Sequence, residues 1–154
     1  MNEQKATGSY YTPHKLVEFM VDYLKNEQQD FHKILEPSAG DGRFITKLLP
    51  VAEEIDAIEL AEDKVKDIKN SFSDPIVQIH QGDFMEYALN TPEKYSLVIG
   101  NPPYINAKKI EKKSLEKAKE ICEQENFLTN VMQNMWVAFV IGACRLLESE
   151  GTIF

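Results

Sequence analysis

A short apolar run, Tyr95 to Ile99, stops at Gly100, and Asn101-Pro102-Pro103-Tyr104 follows at once. Two consecutive prolines neither continue a ladder nor begin a regular helical turn, and each fixes its own φ. Pro102 also pushes Asn101 toward the extended region. The run therefore reads as a buried strand that ends here. The tetrapeptide reads as a stiff loop at its carboxyl end, holding out an amide and an aromatic ring. In open α/β sheets ligands bind outside the carboxyl ends of the strands.

The segments before this loop repeat the pattern. Phe31 to Glu36 reads as a first strand, Glu54 to Leu60 as a second, and Ile76 to His80 as a third. Glu36-Pro37-Ser38-Ala39-Gly40-Asp41-Gly42 follows the first strand, and Phe44, Ile45, Leu48 and Leu49 then mark a helix. Strand, glycine-rich turn and helix is the context in which a glycine loop has meaning. This one lacks the Lys-Ser/Thr pair of a P-loop and the third glycine of the dinucleotide fingerprint, so it is either a ligand loop or an ordinary tight turn. Glu59, at the end of the second strand, suits a ribose diol or is a solvated loop acid. Gln81-Gly82-Asp83-Phe84 closes the third strand with an acid and an aromatic placed to bond and stack an adenine. Three of the four strand ends thus carry an acid, and the fourth carries Asn-Pro-Pro-Tyr. The order predicts a doubly wound, mostly parallel α/β sheet.

Ahead of the first strand, the spacing of Leu16, Val17, Phe19, Met20, Tyr23 and Leu24 predicts a helix from about Pro13 to Lys25, with Thr12 as N-cap and Pro13 at its first position. Tyr10-Tyr11-Thr12-Pro13 is then either a capped helix start with two packed aromatics or one wall of a ligand pocket. Residues 1–9 are polar and read as loose. Ala61 to Asn70 reads as a charged amphipathic helix. After Tyr104, Ala107 to Glu125 reads as one highly charged helix. Lys108 to Lys119 holds six lysines (108, 109, 112, 113, 117 and 119) against Glu111 and Glu116. Such a run is a solvated helix face or, beside this loop, a set of phosphate contacts. Asn130 to Glu148 keeps helical spacing throughout and reads as a core helix. Gly151 to Phe154 resembles a fifth strand cut off as it starts.

Composition sets limits. With 154 residues, 43% of them hydrophobic, the chain holds one domain with a real core. No apolar run approaches a membrane span and no signal pattern opens the chain, so the expectation is a cytoplasmic protein with no membrane partner. Cys122 and Cys144 have no metal-ligand spacing and read as reduced, small apolar residues; no metal is expected. His14, His32 and His80 are scattered and receive no catalytic role. The net charge of −8 argues against a free-standing nucleic-acid binder.

The loop suits methyl transfer to an amine conjugated to a planar group. Such an amine is a poor nucleophile because its lone pair is delocalised. Acceptors aimed at both N–H bonds favour the pyramidal, positively charged transition state. Asn101 Oδ1 is one candidate acceptor and the Pro102 carbonyl the other, while Tyr104 stacks on the flat face of the acceptor group. No histidine base is required.

Gly8-Ser9-Tyr10-Tyr11-Thr12-Pro13, Leu35-Glu36-Pro37-Ser38-Ala39-Gly40-Asp41-Gly42, Ile58-Glu59-Leu60, Gly82-Asp83-Phe84 and Asn101-Pro102-Pro103-Tyr104 resemble the ordered motifs of the gamma-class N6-adenine DNA methyltransferases. These are enzymes of restriction–modification and phage-defence systems. The resemblance covers nearly the whole chain. It implies a Rossmann-like fold, S-adenosylmethionine as cofactor, and a flipped adenine in double-stranded DNA as substrate. Tyr11 and Thr12 would lie along the methionine part, with Glu36, Ser38 and Gly40 below it. Glu59 would bind the ribose hydroxyls, Asp83 the cofactor's adenine amino group, and Phe84 would stack beside it. Asn101, Pro102, Pro103 and Tyr104 would form the catalytic loop, with Asn101 also bordering the cofactor. Residues 10–100 would be the cofactor-binding half, and 101–154 the catalytic loop, two helices and the start of the fifth strand. The family carries further strands and a C-terminal target-recognition domain that are absent here. That domain would supply most DNA contacts, which reconciles an acidic catalytic part with DNA. Three other readings stay open: methylation of a protein glutamine amide, methylation of a ribosomal RNA amine, and a non-catalytic cofactor-binding fragment.

Overall fold

The computed structural model describes residues 11–26, 31–129 and 134–154. The loose N-terminus, Tyr10 and the first residues of the expected 130–148 helix lie outside them. The described chain runs α1 (His14–Asn26), β1 (Phe31–Glu36), α2 (Arg43–Leu48), β2 (Ala52–Glu59), α3 (Glu62–Ser71), β3 (Val77–Gln81), α4 (Phe84–Asn90), β4 (Tyr95–Val98), a 3-10 turn (Ala107–Lys109), α5 (Lys112–Gln124), α6 (Met135–Arg145) and β5 (Leu147–Ile153). The five strands lie in the order β3-β2-β1-β4-β5, and every paired neighbour is parallel.

The strand sequences explain the two covered faces. Ile34, Ile55, Ala57, Leu97 and Ile99 join a core with Val17, Val21 and Leu24 of α1, Phe44, Ile45 and Leu48 of α2, and Ile68 of α3. Leu35, Ile58 and Val98 join the opposite core, with Phe84 and Met85 of α4, Ile121 of α5 and Ala138, Phe139 and Ile141 of α6. Neighbouring strand residues point to opposite faces, so a sheet with helices on both sides reads as continuous apolar runs. The doubly wound sheet is as expected.

Beyond shifts of one or two residues at other element ends, four features differ. The Pro13 carbonyl accepts from the amides of Leu16 and Val17, so Pro13 is the capping residue and Thr12 stands one place outside the helix. A helix not expected from periodicity occupies Phe84–Asn90; it has seven residues and is capped by Asp83. The lysine-rich segment is a 3-10 turn followed by a helix that starts at Lys112, not one helix from Ala107. The last helix ends at Arg145 and β5 begins at Leu147. There the Tyr95 amide donates to the Leu146 carbonyl at 2.9 Å. Leucines at 146 and 147 satisfy either period, and the pairing with β4 decides between them. Cys122 is buried as expected, whereas Cys144 is exposed.

Two of the histidines have partners after all. His32 Nε2 lies 3.1 Å from Glu148 Oε1, and His80 Nε2 lies 2.6 Å from Oδ1 of the buried Asp56. The Tyr95 hydroxyl donates to Asp56 Oδ2 at 2.8 Å, so the Tyr87 hydroxyl, 2.5 Å away, must donate to Tyr95. Burial alone would raise the Asp56 carboxyl; the bonds from His80 and Tyr95 outweigh it and hold the group below its ordinary value. Its contribution is therefore present above pH about 4 and is lost as pH falls through the folded value. Tyr95→Phe leaves Asp56 Oδ2 without this donor, which costs about 1–3 kcal/mol. Urea unfolding at pH 7 checks this; a loss under ~0.5 kcal/mol, within the range of unremarkable surface changes, would remove the network from the account.

Candidate active site at the carboxyl ends of the strands

Parallel strands place the ends of β1, β2, β3 and β4 along one edge of the sheet. A pocket at this edge gathers Tyr11, Thr12, Glu36, Ser38, Gly40 and Asn101, six of the residues expected from sequence.

The turn after β1 is shaped by its glycines. Gly40 and Gly42 have φ of +62° and +76°, a region that favours glycine. A Cβ at Gly42 would meet the Phe72 ring at 2.6 Å, so the turn packs too tightly for any side chain. Glu59, at the end of β2, fixes the turn from below. Its Oε2 accepts from the Gly40 amide and its Oε1 from the Ala61 amide, both at 2.8 Å. Each oxygen keeps a lone pair for a second donor.

Glu36 is the most unusual group. Its side chain ends β1 at 1% exposure, and neither carboxyl oxygen has a hydrogen-bond partner among the described residues. Burial, then the nearby charges of Asp41 and Glu59, push its carboxyl well above the ordinary value. Thr12 Oγ1, across the same pocket, is likewise buried without a partner. Buried polar atoms are rarely left alone. Three of them, on two residues that line one pocket, fit a ligand that carries a donor and positive charge.

Arg43, which the sequence reading passed over, clamps the wall of this pocket. Its Nε and Nη2 bond the two oxygens of Asp41 at 2.8 and 2.5 Å, and its Nη1 donates to the Thr12 carbonyl. The hydrogen bonds to Arg43 are the main reason the Asp41 carboxyl titrates below its ordinary value. The Tyr11 ring lies 4.8 Å from Arg43 Cζ and 5.2 Å from Lys64 Nζ. The segment before α1 is therefore a pocket wall as well as a helix start. The signal for Arg43 was an acid and a base flanking Gly42.

The loop after β4 is tied to the glycine turn. Ser38 Oγ donates to the Asn101 carbonyl at 3.1 Å, and the Ile105 amide donates to the Pro103 carbonyl at 3.1 Å. Of the three successive carbonyls, that of Pro102 is left without a partner among the described residues. Tyr104 is 59% exposed beyond it.

Asp83 stands at the end of β3, linked to β2 by the Gly82 amide and the Glu59 carbonyl at 3.0 Å. Its Oδ1 caps α4 through Met85 N, and its Oδ2 accepts from Ser114 Oγ of α5 at 2.7 Å. Ser114 was not anticipated, because it is distant in sequence. Phe84 needs a correction. Its ring is 3% exposed and stacks on Phe139 with centroids 4.9 Å apart, so that face is taken by the core and is not available to a nucleobase. Apolar identity at a strand end fits both roles, and only the α4–α6 packing distinguishes them.

The family model described as Eco57I restriction-modification methylase matches residues 14–154. The type II methyltransferase M.HincII of Haemophilus influenzae is 31% identical over 123 residues, 75% of this chain and 22% of that protein. A tRNA1(Val) (adenine(37)-N6)-methyltransferase of Musicola paradisiaca is 40% identical over 82 residues, 49% of this chain and 33% of that protein. The chain thus spans a third or less of the length of these relatives. A solved S-adenosylmethionine-dependent methyltransferase from Clostridium acetobutylicum shares the fold with a TM-score of 0.60 at 14% identity, covering 92% of this chain and 49% of that one.

Removing the charge of Glu36 tests the pocket's construction. Without ligand, a carboxyl whose folded value lies above the ordinary 4.5 makes stability fall as pH rises above that value. Glu36→Gln is expected to melt higher than the parent at pH 8 and to differ least near pH 4. Melting curves across this range check it; a variant that melts lower throughout would contradict the unpartnered state.

Proposed function

The chain belongs to the Eco57I restriction-modification methylase family, and from that premise we propose that it transfers a methyl group from S-adenosylmethionine to the N6 amino group of an adenine displaced from double-stranded DNA. The supporting observation is the juxtaposition of Glu36 and Thr12, whose buried side-chain oxygens have no partner among the described residues, with Asn101 in one pocket.

The bound cofactor supplies a methyl group on a positively charged sulfur. Glu36, in its charged form, would face the cationic methionine portion, with Thr12 Oγ1 free to hydrogen-bond beside it. Glu59 uses its remaining lone pairs on the ribose hydroxyls while keeping its bonds to Gly40 and Ala61. Asp83 holds an amino group of the cofactor's adenine through lone pairs not committed to Met85 and Ser114. Phe84 acts behind it only as core.

Asn101 Oδ1 and the Pro102 carbonyl accept the two N–H bonds of the target amine. With the methyl group supplied by the cofactor's sulfonium, positive charge would grow on that nitrogen. Both acceptors stabilise that charge. The surplus proton then leaves to water. Ser38 and Ile105 fix the carbonyls on either side, so the Pro102 oxygen is preorganised. Pro103 keeps the corner stiff and Tyr104 stacks on the displaced base.

Asn101→Ala is expected to lower turnover about a hundredfold to a thousandfold with cofactor affinity nearly unchanged, since the contact strengthens only in the transition state. Labelled-methyl transfer to duplex DNA, an adenine-containing RNA and a glutamine peptide, with calorimetry alongside, measures both. Near-normal turnover of the variant would refute the acceptor role. Preference for RNA or peptide over DNA would refute the substrate. Tyr104→Phe is expected to be the milder change, because stacking needs the ring and not the hydroxyl.

A further inference from the structure

Acids outnumber bases in this chain, 25 to 17, and several lysines find partners: Lys33 with Glu54 and Glu93, Lys47 with Glu18, Lys66 with Glu62, Lys117 with Glu86. Lys108, Lys109, Lys112 and Lys113 differ in lying together, within six residues of one another. All four are exposed. Among the described residues the ammonium groups of Lys108, Lys109 and Lys113 make no hydrogen bond or ion pair, and Lys112 reaches Glu116 only at 3.8 Å.

Their position raises the cost of leaving them unpaired. Lys112 and Lys113 open α5, whose first turn contains no acid, and the capping residue Glu111 makes no side-chain capping bond. Cations at a helix N-terminus oppose the helix dipole, and the free amides there add to the positive potential. Four lysines and a helix terminus form a positive shelf on a chain of net charge −8.

The shelf is also fixed relative to the Asn-Pro-Pro-Tyr loop. The Ile105 carbonyl accepts from the Met135 amide at 2.9 Å, and the Asn106 carbonyl from the Lys109 amide at 2.8 Å. Asn106 Oδ1 accepts from the Lys108 amide at 3.0 Å, and Asn106 bridges to Asn134. Lys108 is four residues past Tyr104, at most about 14 Å of extended chain. Phosphates on one strand advance about 3.4 Å per nucleotide along a duplex axis. The shelf therefore lies within a few nucleotides of any base held at Tyr104.

We propose that Lys108, Lys109, Lys112 and Lys113, with the N-terminus of α5, bind the DNA phosphates that flank the target base. This deepens, and rests on, the nucleic-acid part of the function proposed above. The contacts are to backbone and carry no sequence information. They hold the strand in register with Asn101 and Pro102.

The test is duplex-oligonucleotide binding by this chain, followed by fluorescence anisotropy across a potassium chloride series. Each phosphate contact contributes about 0.9 to the slope of log affinity against log salt. Replacing all four lysines by glutamine is expected to reduce the slope by about three to four units. The same charge removed at the exposed Lys15, Lys25, Lys66 and Lys69 is expected to leave it within about one unit. An unaltered slope in the shelf variant, an equal fall in the remote variant, or no DNA binding by the parent chain would each overturn the proposal. Calorimetry with S-adenosylmethionine separates this from the methyltransfer reading. Normal cofactor binding with an unaltered slope defeats the shelf alone. A lost slope in a chain that binds no cofactor supports the shelf and defeats the methyltransfer reading.

Discussion

All the described strands run the same way, so their carboxyl ends lie side by side on one edge, and the polar chemistry of the chain depends on that edge. A parallel sheet covered on both faces buries polar groups within its strands only where they are bonded: Asp56 by His80 and Tyr95, and Ser96 by the Lys33 backbone. Other polar residues stand at strand positions that are not fully buried or where the strands finish. Glu36, Glu59, Asp83 and Asn101 stand at or just past the ends of the first four strands. The price is a carboxyl, Glu36, left buried with no hydrogen-bond partner among the described residues. Burying it so costs stability, a cost that a cationic ligand of the proposed kind would relieve.

The same edge is held by hydrogen bonds that cross from one strand end to the next. Glu59 pins the glycine turn of β1, Ser38 pins the Asn101 carbonyl, and the Glu59 carbonyl receives the amide of Gly82. Asp83 continues the chain of contacts into α5 through Ser114. The residues proposed for the cofactor side and for the acceptor side thus share backbone and side-chain partners. Methyl transfer needs donor and acceptor aligned within a narrow geometry, and reciprocal pinning of the two loops is a means of fixing it.

The sheet was legible in the sequence because buried parallel strands read as apolar runs cut by glycine, proline and acids. Phe31–Glu36 matches to the residue, and the glycine turn and proline corner mark their own positions. Short helices were not legible. Phe84–Asn90 is under two turns of α-helix and offers no periodicity to read. The burial of Phe84 against Phe139, the clamp of Arg43 on the Thr12 carbonyl and the bond from Ser114 to Asp83 all depend on which helices pack together. Spacing along the chain does not carry that information. The ambiguity over Leu146 and Leu147 has the same origin, since tertiary pairing overrides local pattern.

The central claim is that the pocket is built for a cation opposite Glu36, and proton linkage tests it most directly. Burial pushes the carboxyl well above its ordinary value in the free protein, and a positive charge entering beside it favours the ionised form. Calorimetry of S-adenosylmethionine binding across a pH series, from about pH 4 upward, in buffers of different ionisation enthalpy, reads the protons exchanged. The account predicts release of protons on binding, an affinity that rises with pH until the free carboxyl ionises, and loss of both effects in Glu36→Gln. Binding with no proton release, or with the same release in Glu36→Gln, would contradict it.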